Sequence, residues 1–208
     1  MKSKTVLVTV ILSVSFISII AMFWYQENQY LLPTPVPINY KYVYTGTPIN
    51  LSEVTGLARK NDPKPVLLHF FNPDCPCSRF NMEHFRQIVK RYGGYFEIYA
   101  VMHTEEGLNA KKRFLSKYDL DIPVITDPGK KLATACGVYS TPQAAIIDAT
   151  GRLYYRGNYN KSRYCTDVNS NFAQMAIDSL LAGKPSTVFV ALATTAYGCQ
   201  LSDKILNN

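Results

Sequence analysis

Pro65-Val66-Leu67-Leu68-His69-Phe70-Phe71-Asn72-Pro73-Asp74-Cys75-Pro76-Cys77-Ser78-Arg79-Phe80 is the stretch that decides the fold. Its first half is an almost unbroken apolar run, which suits a strand covered on both faces of a sheet. Its second half opens a helical pattern: Phe80, His84, Phe85, Ile88, Val89 and Tyr92 recur at helical spacing until Gly93-Gly94 stops them. Cys75 and Cys77 stand at the junction. A cysteine there meets unpaired backbone N–H groups and the positive end of the helix dipole, and both favour the reactive thiolate. Asp74 acts in the other direction: as a cap it would help the helix, but its carboxylate opposes ionisation of the neighbouring thiol.

Downstream of this junction the pattern alternates. It predicts a strand over 96–102, a helix over 108–118, a short strand over 124–126 and a short helix over 129–135. Residues 144–148 and 153–155 then flank Ala149-Thr150-Gly151, a hairpin signal, and 171–181 forms the last helix, ended by Gly183 and Pro185. Alternating strands and helices that finish in one hairpin imply a central mixed sheet with helices on both sides. Upstream, Asn50 with Glu53 three residues on has the form of a capping pair opening a helix to about Lys60, which Asp62-Pro63-Lys64-Pro65 breaks.

The N-terminus has a different composition. Lys2 and Lys4 precede an uncharged run from Thr5 to Tyr25, long enough at about 1.5 Å per residue to cross a bilayer core of roughly 30 Å. It ends Ala21-Met22-Phe23-Trp24-Tyr25, without the small-x-small pattern of a cleaved signal, and so reads as an anchor. The lysines hold the N-terminus in the cytoplasm, Trp24 and Tyr25 suit the far interface, and the domain lies outside. Leu32-Pro33-Thr34-Pro35-Val36-Pro37 has the composition of an extended spacer. The organisation expected is a membrane anchor at 1–30, a Pro-rich linker and lead-in at 31–46, a domain at 47–185 and a C-terminal extension at 186–208.

Composition sets outer limits on function. The 208 residues suffice for one domain with a proper core, and 47% hydrophobic with 18% charged residues excludes a disordered chain. The formal net charge is +7, and removing Lys2 and Lys4 from the 22 basic residues leaves 20 against 15 acidic ones, or +5. These charges are scattered, with no dense basic run interleaved with aromatics, which argues against nucleic acid as a partner. Phosphate-binding glycine loops, nucleophile elbows and paired metal-binding histidines are likewise missing from the sequence, and no cofactor is expected.

The element order, with two cysteines at the first strand-to-helix junction, resembles the thioredoxin-like superfamily over about Thr47 to Lys184. Gly137-Val138-Tyr139-Ser140-Thr141-Pro142 resembles the segment that carries that family's cis-proline, especially in membrane-anchored extracytoplasmic thioredoxins. The resemblance implies a thioredoxin-like mixed sheet behind an N-terminal transmembrane helix, and a cis Pro142 that faces the cysteines, with Thr141 counted with it among the site residues. It also implies a thiol-disulfide oxidoreductase anchored in the cell membrane with its catalytic domain on the periplasmic side, acting on protein thiols or disulfides. Cys75 would attack and Cys77 would resolve. His69 stands where thioredoxins carry a buried carboxylate that moves protons for the second cysteine, a task open to a neutral imidazole near pH 7; on a core strand it reads equally as a packed side chain.

The departure from the family is the spacing, one residue between the cysteines instead of two. A disulfide across Cys75-Pro76-Cys77 closes a very small ring, and proline restricts the backbone that must accommodate it. Such a bond is strained and easily reduced, which points to an oxidant or isomerase. In the alternative, Cys75 is resolved by a third cysteine. Cys165 and Cys199 lie outside the inferred sheet. Joined as a structural pair, they would close a loop of about 35 residues and stabilise by about 3 to 4 kcal/mol in the chain-entropy model. The tail to Gly198-Cys199 also resembles the end of peroxiredoxin-like redoxins, which makes Cys199 a candidate resolving thiol. Cys136 reads as a buried small hydrophobe. Two rival functions use the same cysteines. A peroxiredoxin-type peroxidase would carry threonine at the position of Asn72, and a Cu(I) chaperone would recruit a histidine such as His103. His84 reads as part of the helix's buried face.

Overall fold

The computed structural model describes residues 2–55, 63–73, 75–103, 108–162, 164–186 and 189–201. Two compact units are present, 1–33 and 34–208.

The first unit is α1 (Lys2–Leu31), in which Ser3–Asn28 is long and apolar enough to cross a membrane. In the second, α2 (Leu51–Thr55) opens with the expected capping pair: the Glu53 N–H donates to Asn50 Oδ1 at 3.3 Å, and Asn50 Nδ2 donates to Glu53 Oε2 at 2.9 Å. The remainder of the helix expected to Lys60 lies outside the described residues. Next come β1 (Val66–Phe71), α3 (Pro76–Tyr92), β2 (Glu97–Met102), α4 (Leu108–Tyr118), β3 (Val124–Thr126) and α5 (Lys131–Cys136). The chain continues through β4 (Ser140–Thr141), β5 (Gln143–Ile147), β6 (Leu153–Gly157), α6 (Phe172–Leu181), α7 (Ala191–Thr194) and β7 (Cys199–Gln200).

Five strands form one sheet in the order β3-β2-β1-β5-β6. β1 pairs parallel with β2 and antiparallel with β5, so it occupies the centre, and all six of its residues are buried. Its alternating side chains feed two cores. Leu67 and Phe71 pack with Phe85 and Ile88 of α3 and Ala176 and Ile177 of α6; Leu68 and Phe70 pack with Leu132 and Cys136 of α5. Fully burying a side chain such as Phe85 or Ile88 contributes roughly 1.5 to 3 kcal/mol, so α3 is held to the sheet mainly by its apolar face. This is the thioredoxin-like mixed sheet with helices on both faces.

The expected boundaries at residues 46 and 185 do not coincide with those of the folded body. The Pro-rich stretch is docked at Thr34, which is 4% exposed. Its N–H donates to the Ala196 carbonyl at 2.8 Å, and its hydroxyl lies 2.9 Å from Ser140 Oγ. The tail after 185 is equally integral, with Ala193, Ala196 and Leu201 buried. Asn158 Nδ2 donates to the Leu192 and Thr195 carbonyls at 2.8 and 2.6 Å, and Arg156 Nη1 donates to that of Thr194 at 3.1 Å. A Cβ on Gly157 would collide with the Ala193 carbonyl, so the tail closes on β6 only where there is no side chain.

Candidate active site

Cys75 is the N-cap of α3, in extended conformation (φ −84°, ψ 119°), and Pro76 fills the first helical position, where its lack of an N–H costs nothing. Asp74 lies outside the described residues. Among the described residues the Cys75 side chain makes no capping hydrogen bond, and the dipole and the orphan N–H groups of the helix start act on its sulfur. The Thr141–Pro142 peptide bond is cis, and Cys75 Sγ lies 3.5 Å from the Thr141 carbonyl oxygen, within reach of a thiol proton in the reduced protein.

Cys75 is joined by a disulfide to Cys199, 124 residues away, with the Cα atoms 5.9 Å apart. The expected structural pair of Cys165 with Cys199 is therefore not formed, and the reason is strand pairing. β7 runs antiparallel to β4, which sets Cys199 opposite Thr141, the residue whose carbonyl meets Cys75 Sγ. Gly198 makes the approach possible: its φ is +142°, and a Cβ there would collide with the Thr141 carbonyl. Cys75 is 1% exposed beneath this tail.

Cys77 points elsewhere. It is buried, carries a thiol, and lies on the face of α3 that also buries Asn81, His84 and Phe85. The Asn81 amide donates to Cys165 Sγ at 3.1 Å. Burial pushes the Cys165 thiol up to about 11, the Asn81 amide opposing that and the charge of an ionised Cys77 adding to it. Nothing in the composition marked Asn81; its signal is an amide among the buried positions of an amphipathic helix.

His69 is fully buried, stacked on Phe85 with ring centroids 3.9 Å apart, and its Nδ1 lies 2.8 Å from the Tyr159 hydroxyl. Burial lowers its pKa to about 3. The ring is neutral near pH 7, and placing a proton on it there is costly, so the geometry makes it a partner of Tyr159 and a poor proton store. His84 is buried and meets Tyr159 edge-on at 6.0 Å. Cys136 is buried and, mainly through burial and secondarily through Asp127, is pushed up to about 12, an unreactive thiol. Asn72 precedes the turn, its carbonyl accepting from the Cys75 N–H at 3.1 Å. His103 Nδ1 lies 3.0 Å from the Asp127 carbonyl oxygen. Among the described residues no three or more of His, Cys, Asp and Glu are grouped to hold a metal ion.

Residues 49–201 match the family model described as a domain of unknown function, DUF6436. Among curated proteins, the chain is 31% identical over 112 residues to the thiol-disulfide oxidoreductase ResA of Halalkalibacterium halodurans, covering 52% of this chain and 57% of that protein. It is 29% identical over 91 residues to the ResA of a Bacillus thuringiensis strain, covering 43% and 52%. The chain thus spans about half the length of these curated relatives. Among solved structures, a hypothetical protein from Sinorhizobium meliloti superposes with a TM-score of 0.63 at 21% identity, covering 78% of this chain and 96% of that one. An uncharacterized conserved protein from Geobacillus kaustophilus superposes with a TM-score of 0.60 at 18% identity, covering 81% and 97%.

Proposed function

We propose that this chain, which belongs to the DUF6436 family, is a thiol-disulfide oxidoreductase acting on protein thiols and disulfides through Cys75 and Cys199. The observation that carries the reading is the disulfide between a helix-start cysteine and a tail cysteine beside the cis-proline segment. In the reduced protein, Cys75 is the attacking group because the N-terminus of α3 favours its thiolate. Its attack on a client disulfide makes a mixed disulfide and releases one client thiolate. The Cys199 thiolate then attacks the Cys75 sulfur, releases the second client thiolate and restores the bridge. Run backwards, the same steps oxidise a client dithiol. The likeness to proteins named ResA supports the reaction class.

The small-ring strain expected of a Cys75–Cys77 bond is absent from a bridge spanning 124 residues. An oxidant or isomerase role therefore rests on any transient Cys75–Cys77 bond and not on the bridge itself. α1 is read as a single-pass anchor, its apolar length sufficient to span and Lys2 and Lys4 on the cytoplasmic side, which puts the domain on the extracytoplasmic, periplasmic face.

The test is disulfide exchange by the full chain in detergent, with insulin as client. Cys199→Ala is expected to accumulate a mixed disulfide on Cys75, and Cys75→Ala to lose exchange. Exchange at the wild-type rate in Cys75→Ala would sink the proposal. Peroxide turnover or stoichiometric Cu(I) binding without exchange would move the assignment to one of the rival functions.

A further inference from the structure

The two cysteines of the motif have separate partners. The loop between β6 and α6 crosses the first turns of α3 and is tied there twice. The Tyr164 ring meets Phe80 at 4.8 Å, and Cys165 Sγ accepts from Asn81 Nδ2 at 3.1 Å. Asn81 is four residues after Cys77, so their side chains are neighbours on one face of the helix, their Cβ atoms about 5 to 6 Å apart. Cys165 is thereby held over the turn that presents Cys77. Asn81 is itself 0% exposed, and its Oδ1 has no hydrogen-bond partner among the described residues. A buried amide normally has both ends satisfied. Here its donor end is committed to one sulfur and its acceptor end is left in the space beside it, where a thiol proton would be welcome.

From this placement we infer that Cys77 and Cys165 form a second redox pair that exchanges electrons with the Cys75–Cys199 bridge. The inference rests on the reading of that bridge as the site of exchange. The Cys77 thiolate attacks the Cys75 sulfur; the Cys75–Cys199 bond breaks, a Cys75–Cys77 bond forms, and Cys199 leaves as a thiolate that takes the proton given up by Cys77. The Cys165 thiolate then attacks the Cys77 sulfur, a Cys77–Cys165 bond forms, and Cys75 leaves as a thiolate that takes the proton from Cys165. One disulfide and two thiols stand on each side, so no outside oxidant enters. The Cys75–Cys77 bond is the strained small ring, passed through and not stored. Burial of Cys165 holds down its thiolate fraction and makes the second step the slow one. The result is a domain that holds two electrons in a second pair behind Cys75 and Cys199, so that, loaded by two donor encounters, it can reduce two client bonds in succession.

The experiment oxidises the fully reduced full chain in detergent with excess oxidised glutathione, counts the oxidising equivalents taken up, and maps the sulfurs by fragmentation mass spectrometry without reduction. The wild type is expected to take up twice as much as Cys165→Ala, and its map to show Cys77 bonded to Cys165 beside Cys75 bonded to Cys199. In a second arm, chain carrying only the Cys75–Cys199 bridge is incubated without reagent and quenched in acid. A growing Cys77–Cys165 fraction is expected, and Cys77→Ser should abolish it. A wild-type map with Cys75–Cys199 bonded and Cys77 and Cys165 both alkylatable overturns the inference while leaving the proposed function standing. A map lacking Cys75–Cys199 overturns the proposed function and the relay with it. The wild-type map needs no variant to fold.

Discussion

Two segments reach α3, each carrying a cysteine, and they are held by different forces. The tail, residues 189–201, is placed by backbone: β7 pairs with β4, and the tail's carbonyls are gathered by Asn158, Arg156 and Thr34. The loop carrying Cys165 is placed by side chains. Asn160 Nδ2 donates to the Asp167 carbonyl at 2.6 Å and Ser170 Oγ to Asn160 Oδ1 at 3.1 Å, and Cys165 itself has φ 54°, a left-handed conformation that non-glycine residues seldom adopt. A strand pair sets a cysteine's position within narrow limits, whereas a side-chain network leaves it adjustable. The contrast matches a bridge that is already formed at Cys199 and a thiol that is still reduced at Cys165.

The sharpest way to break the comparison is at the sulfur both proposals share. Cys75→Ser is expected to bring insulin disulfide exchange down to background while the domain keeps its circular dichroism spectrum; retained exchange would show that the tail's bridge is only structural. Acid comes next in size. His69 titrates near 3 in the fold and near 6.5 when unfolded, so the unfolded chain binds more protons across that window. Stability falls as pH drops from about 6.5 towards 3, by about 2 to 3 kcal/mol at pH 4.5 for this residue alone. His84 is shifted the same way by burial. Guanidinium titrations at pH 7 and 4.5 should show the loss and His69→Phe should reduce it; an unchanged slope would return His69 to the role of a proton store.

Gly198→Ala tests the tail alone. The added methyl meets the Thr141 carbonyl in a backbone conformation that alanine resists, for a cost of about 1 to 3 kcal/mol. When the reduced variant is reoxidised with a glutathione buffer, the bridge should form less completely and leave more Cys199 alkylatable than in the wild type, while Cys165 is unaffected. Asn81→Ala tests the loop alone and has the smallest effect. Removing the donor that lowers the Cys165 pKa should slow alkylation of that thiol at pH 8, by about tenfold or less, with the Cys75–Cys199 bridge intact. If Asn81→Ala opened the bridge, the two segments would not be independent.

Much of the fold was legible because periodicity is a local property. The apolar run after Pro65 is β1, and α3, α4 and the hairpin lie within a few residues of their patterns, since each shows its buried face in its own sequence. The two-residue strands β4 and β7 and the four-residue α7 were not legible, being too short to show any period. The docking of the lead-in is not legible for a related reason: proline composition describes an extended backbone, and an extended backbone can either span solvent or dock, as it does at Thr34.

For the site, the sequence by itself determined the chemistry available: a cysteine at a helix start, a second one next to it, a proline segment to face them and a glycine-cysteine tail. Those are residue types at short spacings, and short-range order is encoded locally. Which sulfur bonds Cys75 was decided only by the tertiary structure, because Cys75 and Cys199 meet through a strand pairing across 124 residues, while Asn81, one helical turn after Cys77, donates to Cys165. Partners that far apart in the chain are chosen by the packing that closes the loop between them, and no stretch of sequence on either side records it.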